Sequence, residues 1–409
     1  MRIAARSSGE PVGPVSSPTG FDVSGALAAV LPLVAPVAGA GVVAIVLAGS
    51  HASGEGVWAT LHGRTISLSD LDVYAVLEDE PAVRAAQARS RQTREGLRAP
   101  LAALGFVAPL EMGFLTRAGL SRMPARPGVI ELRRHGRVLE GEATVLATVP
   151  AWSGADVSLE EQVLLLENRG FELLLSAPGE ARDATERLLN RHATLKTALD
   201  LAGVMALWAH EWPVGVAGRL ACARRDRMAA LRERLPKDHE GATDVLDVLW
   251  EVALAFRATP QSIEGEASAR EWRQVVHAWC AVSGATSGMG AGALEPWPGI
   301  LTAAARAPWR RRVRQAISFH SRTGAGPGLS SRLRHIAAGT PMHRVHGSAS
   351  VLLHAASLSG EQPMLPAEAL RALALLGVTR ARDWEGARLE VVQAWDRWLQ
   401  LGQRTQGSL

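Results

Sequence analysis

From Gly25 to Ser50 the chain reads GALAAVLPLVAPVAGAGVVAIVLAGS, without one charged side chain. A run of that length and hydropathy must leave water, either in a bilayer or in a protein core. Pro32, Pro36, Gly39 and Gly41 interrupt it, basic residues do not flank it, and it starts too far from Met1 for an ordinary signal peptide. The pattern therefore predicts a buried helix over about 22–38 and a buried strand over 42–48, with no membrane span. Residues 1–21, rich in Pro, Ser and Gly, read as a flexible tail.

Alternation then takes over. VWATLHGRTISLS has two short arms around His62-Gly63-Arg64, a hairpin pattern, and runs into SLSDLDVYAVL at 67–77. That segment is apolar enough for a core strand, yet it carries Asp70 and Asp72 at its mouth. Side chains two apart on a strand share a face, so the two carboxylates repel unless something compensates them. A helical pattern over 81–104 ends at Gly105, FVAPLEMGFLT at 106–116 reads as the next strand with one acid, Glu111, and VIELRRHGRVLEGE closes this half. Residues 22–148 thus form a small α/β domain. Beyond about 150 the pattern is mostly helical: a helical domain over 149–282 opens at Ser158 with Glu161 three residues on, a capping box. Residues 283–409 form an Arg-rich and helical region, with loop composition over 283–299 and helices over 366–376 and 383–401. The fold class is α+β.

Two glycine patterns invite a phosphate. GAGVVA at 39–44 fails as a dinucleotide fingerprint because its glycines precede a strand instead of following one. Gly49 and Ser50, by contrast, sit at the end of a predicted strand, where backbone N–H groups and a hydroxyl can face an anion. Placed shortly before the Asp70–Asp72 pair, they suggest a divalent cation carried on a triphosphate, with carboxylate oxygens as hard ligands. Glu111 is the best third acid, as base or second ligand, and Glu131 is its rival.

In these residues (GS at 49–50, GE at 54–55, SDLDVYAVL at 69–77, PLEMGFL and LRRHGRVLEG) the chain resembles the nucleotidyltransferase superfamily that includes DNA polymerase β and the minimal and aminoglycoside nucleotidyltransferases. The resemblance covers about 22–148; more loosely, RHATLKTALDLAG resembles the helical domain of the antibiotic-modifying members. It implies a polymerase β-like fold in which Gly49 and Ser50 hold nucleotide phosphates, Asp70, Asp72 and Glu111 bind one or two Mg²⁺ ions, and an NMP passes from NTP to an acceptor hydroxyl. A small-molecule acceptor is favoured, with RNA or protein as the alternative, or a non-catalytic NTP-binding regulator. The 19 residues between Ser50 and Asp70 exceed the usual spacing of the family, and the hairpin accounts for them as an insertion.

Lysine is so scarce that Lys196 stands out: only Lys196 and Lys237 of the 44 basic residues are lysine. Lys196 is read as a point charge on the triphosphate, or else as a solvated helix lysine. Arg133, Arg134 and His135 could line an acceptor pocket or a polar edge; His343, His346 and His354 lack a metal-ligand spacing. Between Glu295 and Glu361 there is no acid, while nine arginines fall in 306–344, a stretch that could bind RNA or another polyanion or be a solvated face. A net charge of +4 is small for 409 residues, and Cys222 and Cys280 are too few for a disulfide framework, which fits a cytoplasmic protein.

Overall fold

A computed structural model describes residues 21–179, 183–234, 241–286, 341–359, 363–376 and 380–402, with the single positions 313 and 378. The first helix, α1 (Val23–Ala38), is capped by Asp22, whose side chain accepts from the Gly25 amide at 2.8 Å. It buries Leu27, Val30, Val34 and Val37. After Gly39 and Gly41, both at positive φ, the chain enters β1 (Val42–Ala48). The apolar run thus resolves into helix, turn and strand at the predicted places. Among the described residues no helix is long and apolar enough to cross a membrane.

One short turn, α2 (Gly49–Ser53), follows, and then a separate two-stranded hairpin of β2 (Trp58–Leu61) and β3 (Arg64–Ser67). The strand β4 (Leu71–Leu77), helix α3 (Glu80–Ala103) and strand β5 (Leu110–Thr116) come next. β5 starts later than the sequence suggests. Pro109 has no N–H to give a ladder, and only its carbonyl joins, accepting from the Leu71 amide at 3.0 Å. The closing segment is a helix followed by a strand: α4 (Arg117–Leu120) and α5 (Pro127–His135) lead into β6 (Arg137–Gly141).

These strands make one mixed sheet in the order β5-β4-β1-β6, with β4 and β5 parallel and the other pairs antiparallel. Period-two alternation sorts the side chains. Ile45, Leu47, Leu71 and Val73 meet α1 and α3 on one face, while Val46, Ala48 and Val76 meet Leu120, Val129 and Leu132 on the other.

The remainder is helical: α6 (Leu159–Leu175), α7 (Ala184–Leu207), α8 (Gly215–Cys222), α9 (Met228–Arg234), α10 (Ala242–Ala258), α11 (Gly265–Thr286), α12 (Pro341–Leu358), α13 (Ala367–Leu376) and α14 (Trp384–Gly402). Ser158 caps α6 by accepting from the Glu161 amide, but only half of the expected capping box forms, because the Glu161 carboxylate turns to Arg126 at 2.6 and 3.0 Å. The helix α12 was not foreseen. Its residues 345–356 are buried on every side, so no apolar stripe marks it in the sequence. His346 and His354 lie on it, His346 facing Glu167 at 3.3 Å.

The large helical core also takes in Val57, Ala59, Ile66 and Leu68, so the β2–β3 hairpin is packed into the helical half. The arginines of 306–344 fall outside the described residues except for the start of α12, as does the tail at 1–20.

Candidate functional site

The site begins where β1 ends. Gly49 adopts φ +64°, and a Cβ placed on it would lie 2.0 Å from Asp72 Oδ2. Only glycine satisfies both demands, a left-handed backbone and direct approach of a carboxylate. The short turn α2 then closes on Gly54, in the left-handed conformation, whose N–H returns to the Ser50 carbonyl.

Asp72 stands opposite Ala48 on β1 and Glu111 on β5. On parallel neighbours in register the two acids share a face, the one that meets α4 and α5. Asp70 precedes β4 and is reached from the helical half: Lys196 Nζ donates to its Oδ2 at 3.2 Å and lies 4.0 Å from Glu172. Behind Lys196, Arg169 is paired with Glu172 and, at 2.8 Å, with Asp200. Glu111, over half exposed, is met by Arg94 at 3.3 Å.

Electrostatics records the crowding. Burial and then the Asp70 charge raise the Asp72 carboxyl from 3.8 to about 6, with Lys196 working against them and Glu111 adding to them. Glu111 moves the same way: although much of its side chain is open, desolvation in the recess raises it, Arg94 opposes, and Asp70 and Glu172 reinforce. The chain's single tyrosine, Tyr74, lies two residues beyond Asp72 on the same face; its ring occupies the space that a Cβ on Gly113 would fill, at 2.5 Å.

The sequence-predicted residues Gly49, Asp72 and Glu111 are therefore brought to one end of the sheet, with Ser50 next to Gly49 and Asp70 held by Lys196. Glu131 is not part of this group. It sits on α5 and accepts from Trp212 Nε1 at 2.7 Å and Arg219 at 3.3 Å, with His135 at 3.5 Å. Glu55 is likewise a tie, accepting from the Val216 amide at 2.7 Å. Arg134 spends itself on the Trp212 carbonyl at 2.8 Å and Arg133 on the Leu146 carbonyl at 2.7 Å, which favours a structural edge over an acceptor pocket.

Comparison with protein-family models, curated proteins and solved structures returned no match. The chemistry of the site must be read from its own residues.

Among the described residues no three His, Cys, Asp or Glu side chains are gathered as a metal-binding set. A cage of protein ligands alone is thus not built. The donor chemistry fits a hard cation that brings most of its own oxygens: Asp70 and Asp72 offer hard carboxylate oxygens whose charges repel each other.

Sequence reasoning missed His51. It is buried, and its Nε2 lies 3.0 Å from Ser67 Oγ and 3.3 Å from the Ser69 carbonyl. The edges of Trp58 and Phe106 enclose it, at ring separations of 5.4 and 5.5 Å. Burial lowers its pKa, with the Ser69 carbonyl and Asp70 acting in the opposite sense. A single histidine after Gly-Ser carries no spacing or period that would have announced this.

Proposed function

We propose that this protein is a Mg²⁺-dependent nucleotidyltransferase that moves a nucleoside monophosphate from an NTP to an acceptor hydroxyl, with a small molecule the favoured acceptor. The observation that carries the reading is the Gly49–Asp72 approach, with Glu111 in register beside it: a left-handed glycine turn at a strand end pressed directly against coupled carboxylates.

The turn at Gly49 and Ser50 offers backbone N–H groups and a hydroxyl to the β- and γ-phosphates. Asp70 and Asp72 would hold Mg²⁺, which when bound supplies charge neutralisation for the triphosphate and the departing pyrophosphate. Lys196, now on Asp70, is within reach to exchange that carboxylate for a phosphate oxygen. The acceptor oxygen attacks the α-phosphorus, the bond to the β-phosphate oxygen breaks, and pyrophosphate leaves. Glu111 receives the acceptor's proton. Its upward-shifted carboxyl is a better base than an ordinary glutamate.

The test incubates the protein and Asp72→Asn with each α-labelled NTP, Mg²⁺ and a fractionated cell extract. Transfer of label by the wild type and its loss by more than ~100-fold in the variant are expected. Label transfer by the variant at the wild-type rate would refute the assignment.

A further inference from the structure

Nineteen residues separate Ser50 from Asp70, and they do not form a simple loop. They contain the end of α2 and the β2–β3 hairpin, part of which is buried in the helical core. The β1–β4 ladder, in which Ala48 pairs with Asp72, already holds the two ends of this excursion together. Asp70 lies just outside β4, and the peptide that precedes it is tied back to α2 by a side chain.

His51 follows Ser50 directly and reaches across to residues 67 and 69. The Ser67 hydroxyl hydrogen is spent on the Ser69 carbonyl at 3.0 Å, so Ser67 Oγ is an acceptor toward the ring. Nε2 therefore carries the proton and donates to both Ser67 Oγ and the Ser69 carbonyl, which fixes the tautomer. The Ser69 carbonyl belongs to the peptide that leads into Asp70. Its plane is thus set from α2, and Ser69 Oγ fixes the same residue from the other side by accepting from the Val57 amide at 2.9 Å. Gly56 packs against the ring so closely that a Cβ there would sit 2.6 Å from Nδ1. A buried imidazole surrounded by Trp58, Phe106 and Gly56 has no freedom to make these bonds elsewhere.

We infer that His51 is a positioning residue that locks the carboxylate of Asp70 to the Gly49–Ser50 turn across the hairpin insertion, so that the cation and the triphosphate are presented in fixed relation. The inference rests on the nucleotidyl-transfer reading and adds to it a residue that touches neither metal nor nucleotide. It predicts a division of labour. Metal-free nucleotide depends on the turn and Lys196, whereas the gain in affinity on adding Mg²⁺ depends on Asp70 being aimed.

Isothermal titration with non-hydrolysable α,β-methylene NTP analogues, with and without Mg²⁺, reads this split. His51→Phe keeps a planar aromatic ring, somewhat larger than the imidazole, and removes the donor; Ser67 and Ser69 retain their own bond. The expected result is at least ~10-fold weaker binding in Mg²⁺ with metal-free binding within ~2-fold of wild type, and partial recovery in His51→Gln, whose amide can donate. If His51→Phe binds the Mg²⁺ complex like the wild type, or loses both modes equally, the positioning role is overturned. If the wild type itself binds no analogue in Mg²⁺, the nucleotide reading falls first. Should His51→Phe not fold, Ser67→Ala, which removes one of the two acceptors, takes its place with the same split expected and the same refutation.

Discussion

Replacing Asp72 by Asn should make the nucleotide-free protein more stable at neutral pH, although it removes the residue most central to the site. In the folded chain the Asp72 carboxyl is raised from 3.8 to about 6, first by burial and then by Asp70. A group whose pKa is raised on folding contributes stability below its unfolded pKa and loses it as pH climbs through the folded value. Above pH 6 the ionised Asp72 therefore costs the fold roughly 3 kcal/mol relative to a neutral side chain of the same shape, from the gap between 3.8 and about 6 at ~1.4 kcal/mol per pH unit. Urea unfolding of wild type and Asp72→Asn at intervals from pH 4 to 8 measures it. Near pH 4 the two should agree; by pH 8 the variant should be ahead by up to ~3 kcal/mol, the difference opening between about pH 4 and 6. A variant that is less stable at every pH, or a difference that ignores pH, would show that burial and the Asp70 charge do not raise the Asp72 carboxyl on folding. Saturating Mg²⁺ and nucleotide should close the gap by stabilising only the wild type.

Two further substitutions separate the site from its supports. Gly49→Ala combines a left-handed backbone with a collision on Asp72, so it should cost ~2 kcal/mol or more in denaturant unfolding and abolish detectable nucleotide binding by titration; a stable variant that binds would mean the turn does not face the nucleotide. Glu131→Ala strands Trp212 Nε1 and Arg219 and should lower stability by ~2–4 kcal/mol while leaving the affinity for the Mg²⁺–NTP analogue within ~2-fold, as measured by the same titration.

Much of the sheet was legible because its signals are local. The uncharged run with its prolines and glycines, the two alternating arms around His62-Gly63 and the acidic mouth of β4 each constrain their own few residues, and Asp72 beside Glu111 follows from two strands being parallel neighbours. What was not legible depends on what a residue meets after folding. α12 is wrapped on all sides and shows no stripe; Glu131 looked like a rival acid until a tryptophan and an arginine from 80 or more residues away claimed it; His51 became intelligible only once the hairpin had brought Ser67 and Ser69 back to it. Arg169, Glu172 and Asp200, which back Lys196, lie on two helices and meet only once those helices pack.

The burial of Val57, Ala59, Ile66 and Leu68 among the helices reaches into the order of synthesis. Those four side chains emerge from the ribosome early, but the surfaces that cover them belong to segments encoded more than a hundred residues later, including Leu199, Trp250 and Trp279 of the same core. Until those segments arrive, these four side chains have no helical core to enter, although Trp58 of the same hairpin already packs with Phe21 and Phe106. The packing of the hairpin is thus completed by residues made long after it, so the amino-terminal half does not finish its own core.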